Sequence, residues 1–336
     1  MKLITFRKHS HGDDRLGALL ASGDVIDLSA AGDPAFGSML SLIEAGEAAW
    51  AGARTLIEEA PARLCVAGSE YSLRAPIPLP PQVRDSMSFH KHIRQSRIST
   101  VRRIASESGD DRAIAEAARF ASSYQVPEIY RTQPTYYKAN RFNVADPGET
   151  VTWPAYSQLM DFELELACVI GRGGKDIAPE TARDHIFGFT IFNDLSARDT
   201  QAREMEGRLG PAKGKDFDKA NVFGPCLVTL DEIGDPYALR MSAKVNGTVW
   251  CDTTSADMFW KFEDLIAYIS QDETLYPGEI IGSGTVGDGC GLEHDRFLRH
   301  GDEIELEIEG IGVLRNRVLH PSRLSVSASA PAQVEA

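Results

Sequence analysis

From Gln133 onward the chain is a succession of short apolar runs of strand type: VTWPAYS, FELELACVIG, HIFGFTIFND, GPCLVTL, LRMSAKVNGTVW and DEIELEIEGIGVLRNRV. This texture constrains the fold more than any other feature, because a strand satisfies its backbone only against another strand. Residues Glu303 to Glu309 alternate acidic and apolar side chains, the period of two that gives a strand one buried and one wet face. Val245-Asn246-Gly247-Thr248 carries the Asn-Gly signal of a tight hairpin. The expectation is an α+β, β-rich protein.

The first part of the chain has a different texture. Residues 1–75 read as a small N-terminal domain, with KLITFR and GDVIDL as strands and SMLSLIEAG and the stretch around Ala53 to Ala60 as short helices. Ala75-Pro76-Ile77-Pro78-Leu79-Pro80-Pro81 removes backbone donors and fixes φ, so residues 76–82 are expected to be an extended linker. Residues 83–322 then form the main domain, interrupted over about 93–131 by an insert. Its alanine-rich part, Asp110 to Ser122, reads as a helix, and serine, glycine and arginine crowd around Ser96 to Arg112. The insert is expected to act as a mobile lid. The final SVSASAPAQVEA is small and polar, so residues 323–336 are expected to be disordered.

Charge narrows the partners. Lysine and arginine total 35 against 49 acidic residues, a formal charge of −14. An acidic surface with no basic stripe excludes nucleic acid as a natural partner. No apolar run reaches the length of a membrane span, and MKLITFRKHSHGDD lacks the apolar core of a signal peptide. Five scattered cysteines with no CxxC spacing read as reduced thiols of a cytoplasmic protein, each serving as buried apolar filler.

The chemistry-bearing signal is Asp161-Phe162-Glu163-Leu164-Glu165-Leu166, where Glu163 and Glu165 fall on one face of a strand. Ile191-Phe192-Asn193-Asp194 ends another apolar run on a carboxylate. Carboxylate oxygens converging from neighbouring strands suit a hard cation: Mg²⁺, Mn²⁺ or Ca²⁺. By spacing alone the pattern is more often that of a solvated sheet face, as Glu303, Glu305, Glu307 and Glu309 show. GDGCGLE, with Gly287, Gly289 and Gly291, lacks the Lys-Ser/Thr ending of a phosphate loop and is not read as a nucleotide site. His90 and His92 compete for any role as a base. Arg198 and Asp199 could be a structural ion pair, and Lys215 in KGKDFDK a solvated lysine.

Asn193-Asp194-Leu195-Ser196-Ala197-Arg198-Asp199-Thr200-Gln201, followed by Gly210-Pro211-Ala212-Lys213-Gly214-Lys215-Asp216-Phe217, closely resembles the signature of the fumarylacetoacetate hydrolase superfamily. The upstream FELEL and the later Gly282-Ser283-Gly284-Thr285 resemble further motifs of that family, in the same order, over roughly residues 83 to 320. The resemblance, to a bacterial-type member, implies a mixed β-roll core with peripheral helices behind a small N-terminal domain, usually as a homodimer. It implies that Glu163, Glu165 and Asp194 hold a divalent metal, Mg²⁺ or Mn²⁺, with Asp85 as a fourth ligand. It also implies that His92 is a general base oriented by Glu293. Arg198, Gln201 and Lys215 match residues that hold substrate oxygens, and Tyr137, Lys138 and Thr285 match substrate contacts. Met87 stands where the family has an aromatic contact. The expected arginine after the histidine is out of register, with Val101 in its place and Arg97 nearby.

These residues suit hydrolysis of a C–C bond in an acylpyruvate or related 1,3-dicarbonyl, as in the catabolism of an aromatic or cyclic compound. A histidine paired with a carboxylate activates water, and a metal-stabilised enolate leaves. A decarboxylase, isomerase or hydratase of a 2-oxo dioic acid would use the same metal site with different proton delivery. A non-catalytic ligand-binding member of the fold is the third reading, disfavoured by so many retained charged groups.

Overall fold

The computed structural model describes residues 1–10 and 12–321, so the tail expected at 323–336 lies outside the described residues. The N-terminal part contains β1 (Lys2–Lys8), β2 (Asp14–Leu19), β3 (Val25–Asp27), α1 (Met39–Ala45), α2 (Glu47–Glu59), β4 (Cys65–Val66) and β5 (Tyr71–Arg74). Ser38 caps α1 by accepting from the Ser41 N–H, and Met39, Leu42 and Ile43 form its buried stripe.

After the buried Ala75-Pro76-Ile77 segment come β6 (Val83–Ser86), α3 (His90–Ser108), α4 (Asp111–Ser123), α5 (Ile129–Thr132), β7 (Tyr136–Ala139), β8 (Val144–Ala145) and β9 (Thr150–Thr152). The helix expected from Asp110 is α4, capped by the Asp110 side chain. The stretch Ser96 to Ser108 belongs to α3, which runs on until Gly109 turns left-handed at φ 66°.

The remaining elements are β10 (Met160–Asp161), β11 (Leu164–Ile170), β12 (Ile186–Asp194), β13 (Ser196–Ala197), α6 (Arg198–Glu206), β14 (Asn221–Thr229), α7 (Leu230–Ile233), β15 (Arg240–Val245), β16 (Thr248–Thr254), α8 (Phe262–Ile269), β17 (Ile280–Gly282), β18 (Glu303–Ile308) and β19 (Gly312–Leu319). Asn246 and Gly247 both have positive φ in the β15–β16 hairpin, as the Asn-Gly signal requires. In β18 the isoleucines and Leu306 are buried, and the glutamates lie on the wetter face.

One large sheet has the order β4-β3-β2-β1-β14-β12-β11-β17-β6-β7, and a second has the order β16-β15-β18-β19-β9. The large sheet crosses the expected domain division, because β1 pairs antiparallel with β14 at Leu3 and Leu227. Every residue of β11 and β12 is buried, so neither strand has a wet face. On one side Leu3, Leu16, Leu42 and Ile43 share a core with Ala167, Phe192 and Phe223. On the other, Phe262, Leu265 and Ile266 of α8 pack with Cys168, Phe189 and Met241. Among the described residues no helix is long and apolar enough to cross a membrane.

Candidate active site

Of four neighbouring strands, β12-β11-β17-β6, three deliver the carboxylates: Asp85 from β6, Glu165 from β11 with Glu163 just before it, and Asp194 from β12. β17 pairs with β6 in parallel, setting Gly282 against Asp85, and pairs antiparallel with β11 on its other side. β11 pairs with β12 with Leu164 opposite Asn193, which brings Glu163 to Asp194 at the strand ends. β7 lays Tyr137 opposite Asp85, and the Tyr137 hydroxyl donates to Asp194 Oδ2 at 2.7 Å. Asp85, Glu165 and Asp194 are buried and offer oxygens that all lie within 4.8 Å of one another.

Carboxylates this close in a dry site push each other's titration upward. Burial and then Asp85 raise Glu165 well above the usual carboxylate range. Burial, only partly offset by Lys215, pushes Asp194 up to about 7. Glu163 behaves oppositely: burial would raise it, but Arg198 and Lys215 outweigh burial and hold it low. Lys215 donates to both Glu163 Oε2 and Asp194 Oδ2 and is itself only 3% exposed, so it is not a solvated lysine. Arg198 Nη1 sits 2.8 Å from Glu163 Oε1.

The three clustered carboxylates fit a hard divalent cation on two further observations. Asp194 Oδ1 is buried without a hydrogen-bond partner, an acceptor left for something positive. Gly282 also keeps the space clear: a Cβ there would lie 2.5 Å from Asp85 Oδ1 and 2.9 Å from Glu165 Oε2. The Gly284 N–H donates to both of those oxygens at 3.1 Å, fixing their direction. Glu163 stands beside the cluster, its oxygens engaged by Arg198 and Lys215.

His92 occupies the first turn of α3 and is buried. Its Nδ1 lies 3.0 Å from Glu293 Oε1, and its Nε2 faces Glu163 Oε1 at 4.0 Å. His90 turns away, stacking on Phe259 and contacting the Tyr130 carbonyl. Glu293 is held in turn by the Cys290 N–H, which donates to its Oε2 at 3.1 Å.

The other expected contacts divide. Thr285 Oγ1 reaches Glu165 Oε1 at 3.5 Å, and Gln201 Oε1 accepts from Arg198 Nη1 at 3.0 Å. Arg198 also keeps Nη2 buried and unpartnered. Met87 is half-buried just beyond β6. Lys138 points off the site to Glu273, and the Arg97 guanidinium lies over the Phe120 ring between α3 and α4. These two are not brought to the carboxylates.

Asp161 is the residue that sequence reasoning passed over. It is fully buried and pairs with Arg198 through Nε at 2.8 Å; Asp199 instead accepts from Ser157 and the Gln158 N–H. Asp161 also accepts from the Gly291 and Leu292 N–H groups at 2.7 and 2.9 Å. Its signal was present, since Asp161, Glu163 and Glu165 share the odd positions of one alternating stretch. The glycine at 291 is required there, as a Cβ would come within 2.6 Å of Asp161 Oδ1. The glycine-rich run thus packs tightly around Asp161. All five cysteines are free, and Cys65 is exposed, against the expectation that each is buried.

Residues 108–319 match the family described as Fumarylacetoacetate (FAA) hydrolase C-terminal. Human mitochondrial oxaloacetate tautomerase FAHD2A is 40% identical over 188 residues, 56% of this chain. The chain spans 59% of the length of that relative. Oxaloacetate tautomerase YisK of Bacillus subtilis is 35% identical over 251 residues, covering 74% of each chain. Among solved structures, fumarylacetoacetate hydrolase from Exiguobacterium antarcticum superposes with TM-score 0.70 at 25% identity, covering 95% of this chain and 99% of that one. Maleylpyruvate hydrolase from Sphingobium sp. SYK-6, in complex with manganese(II) and pyruvate, shares the fold with TM-score 0.69 at 24% identity, covering 95% and 99%. The motif order, the strand-borne carboxylates and these matches together make the chain a member of the fumarylacetoacetate hydrolase superfamily.

Proposed function

We propose that the protein is a divalent-metal-dependent enzyme that enolises a small 2-oxo acid, tautomerising an oxaloacetate-like 2-oxo dioic acid. One observation carries this reading: His92 is fixed at Nδ1 by Glu293 while its Nε2 edge faces the carboxylate group. The relatives named oxaloacetate tautomerases support it, at 35–40% identity. A cation such as Mg²⁺ or Mn²⁺, held by Asp85, Glu165 and Asp194 with Glu163 alongside, would supply Lewis-acid stabilisation to the enolate.

The chain's own groups do the rest. Glu293 accepts from Nδ1–H and so leaves the lone pair on Nε2, where it can take a proton from the carbon next to the keto group and return it. Arg198 Nη2 and the Lys215 ammonium are fixed donors for developing negative charge on the substrate oxygen. Gln201, anchored through its Oε1, has its amide nitrogen left to donate. Burial of His92, Arg198 and Lys215 strengthens their interactions.

Hydrolysis of an acylpyruvate is the second reading, favoured by the same His92–Glu293 pair acting on water instead of carbon. Both are tested by incubating the Mn²⁺-loaded protein in D₂O with oxaloacetate and, separately, with a set of acylpyruvates, following products by mass. Deuterium entering next to the keto group without cleavage identifies tautomerisation; cleavage products identify hydrolysis. Rates equal to buffer for every substrate, or unchanged in His92→Asn, would overturn the assignment.

A further inference from the structure

Beside the all-oxygen group lies a second set of ligand atoms of different chemistry. His92 Nδ1, Cys290 Sγ and a Glu293 carboxylate oxygen all lie within 4.8 Å of one another, and all three side chains are buried. Nδ1 is 3.0 Å from Glu293 Oε1 and 4.0 Å from Cys290 Sγ. A tetrahedral ion with bonds of about 2.0–2.3 Å holds its ligand atoms about 3.3–3.6 Å apart. Changes of about an ångström at most in these separations would therefore convert the present arrangement into three corners of such a site. The histidine–glutamate pair needs only the first contact; it gives no reason for a thiol beside the same nitrogen.

We propose that His92, Cys290 and Glu293 form an inhibitory site for a borderline-soft divalent cation of the zinc type, separate from the group at Asp85, Glu165 and Asp194. Nitrogen, sulfur and one carboxylate select such an ion, whereas the neighbouring carboxylates select a hard one. A thiolate and a carboxylate neutralise its two charges, which a buried site requires. The backbone is already fixed: Cys290 bridges Glu163, the Gly289 carbonyl accepts from the Leu164 N–H at 3.0 Å, and Asp161 holds the Gly291 and Leu292 N–H groups. Glu163 Oε1 faces Nε2, where it can accept the ring proton of a metal-bound histidine.

The protons balance without any redox step. Without the ion the thiol keeps its proton, since burial and then Glu293 push Cys290 well above the ordinary range. Binding at Sγ releases that proton to solvent, and binding at Nδ1 moves the ring proton to Nε2. The Nε2 lone pair is then gone. The inhibitory consequence rests on the assignment of His92 as the base; the binding site itself does not.

The test titrates Co²⁺ into the full chain already saturated with Mg²⁺, reading near-ultraviolet thiolate-to-cobalt absorption, and follows Zn²⁺ inhibition of enolisation in parallel. The wild type is expected to show the band and to lose activity with zinc despite excess Mg²⁺. Cys290→Ser should lack the band and need at least tenfold more zinc. No band in the wild type, or a band unchanged in Cys290→Ser, overturns the site. If Cys290→Ser does not fold, X-ray absorption on the zinc-loaded wild type decides: one sulfur and one imidazole are expected, and an all-oxygen shell overturns the site. A band without any enolising activity would leave the site standing and remove the functional reading instead.

Discussion

Asp161 and Arg198 are joined by a fully buried ion pair, and through it the strand carrying Glu163 is tied to the turn carrying Glu293. Asp161 binds the guanidinium on one side and two backbone N–H groups of that turn on the other. Arg198 then passes on to Glu163 and Gln201. Asp161→Asn removes the charge but keeps the shape. Breaking one buried partner costs about 3 kcal/mol, so denaturant midpoints should fall. kcat should drop at least tenfold through loosening of Glu293, while Mn²⁺ affinity stays within a few-fold by calorimetry. Unchanged kcat would remove Asp161 from the positioning of the site.

Burial and then Asp85 raise the Glu165 carboxyl, which favours its neutral form in the ion-free protein. Glu165→Gln imitates that state, and its melting temperature without metal should match the wild type. What it should lose is the gain on adding Mn²⁺, worth about 2.7 kcal/mol at a hundredfold excess over Kd. A full Mn²⁺-dependent rise in the variant would refute this ligand.

Gly282→Ala places a methyl group 2.5 Å from Asp85 Oδ1. The strand can remain, but the two carboxylates must part. Mn²⁺ affinity measured calorimetrically should fall at least tenfold, with the circular dichroism spectrum retained. Wild-type affinity would show that these oxygens do not converge on the ion.

Asp288 latches α3 to the glycine-rich turn, accepting from Lys91 Nζ and Gln95 Nε2, both at 2.5 Å. Asp288→Ala should speed limited tryptic cleavage between Arg94 and Arg103 several-fold under native conditions. Equal cleavage rates would mean that the helix is held elsewhere and would weaken the idea of a lid over 93–131.

Cys226 and Cys251 are both pushed up to about 12 by burial, from an ordinary value of 9.0. Their folded-state values are raised, so the stability they add is complete below pH 9 and is lost as pH climbs toward 12. The expected loss is about 1.4 kcal/mol per thiol for each pH unit in that window. Urea midpoints at pH 9, 10 and 11 should fall less steeply in Cys226→Ala than in the wild type; parallel slopes would contradict this.

The sequence was legible where local rules decide. The hairpin at Asn246-Gly247, the alternation in β18 and the cap at Asp110 need only neighbours in the chain. α3 was not legible along its length, because Ile93, Ile98 and Ala105 give it a thin buried stripe among many arginines. The packing of α3 against α4 makes it a helix. Glu163 and Glu165 could be paired by strand period, but their opposite electrostatic fates could not. Those depend on Arg198 and Lys215 reaching one and Asp85 facing the other, contacts made across the fold. Lys138 and Arg97 illustrate the converse: matching a motif, or lying near one, does not decide which face of a strand or helix a side chain takes.

The pairing of β1 with β14 bears on how much of this chain can stand alone. A protein begun at the proline strip would leave the Leu227–Val228 part of that edge with unsatisfied backbone groups. It would also uncover Phe223 and Leu227, which now pack in the core shared with the N-terminal strands. Such an open edge invites a second chain to add to it. The first seventy or so residues thus cover an edge that lies one strand away from the strand that ends in Asp194.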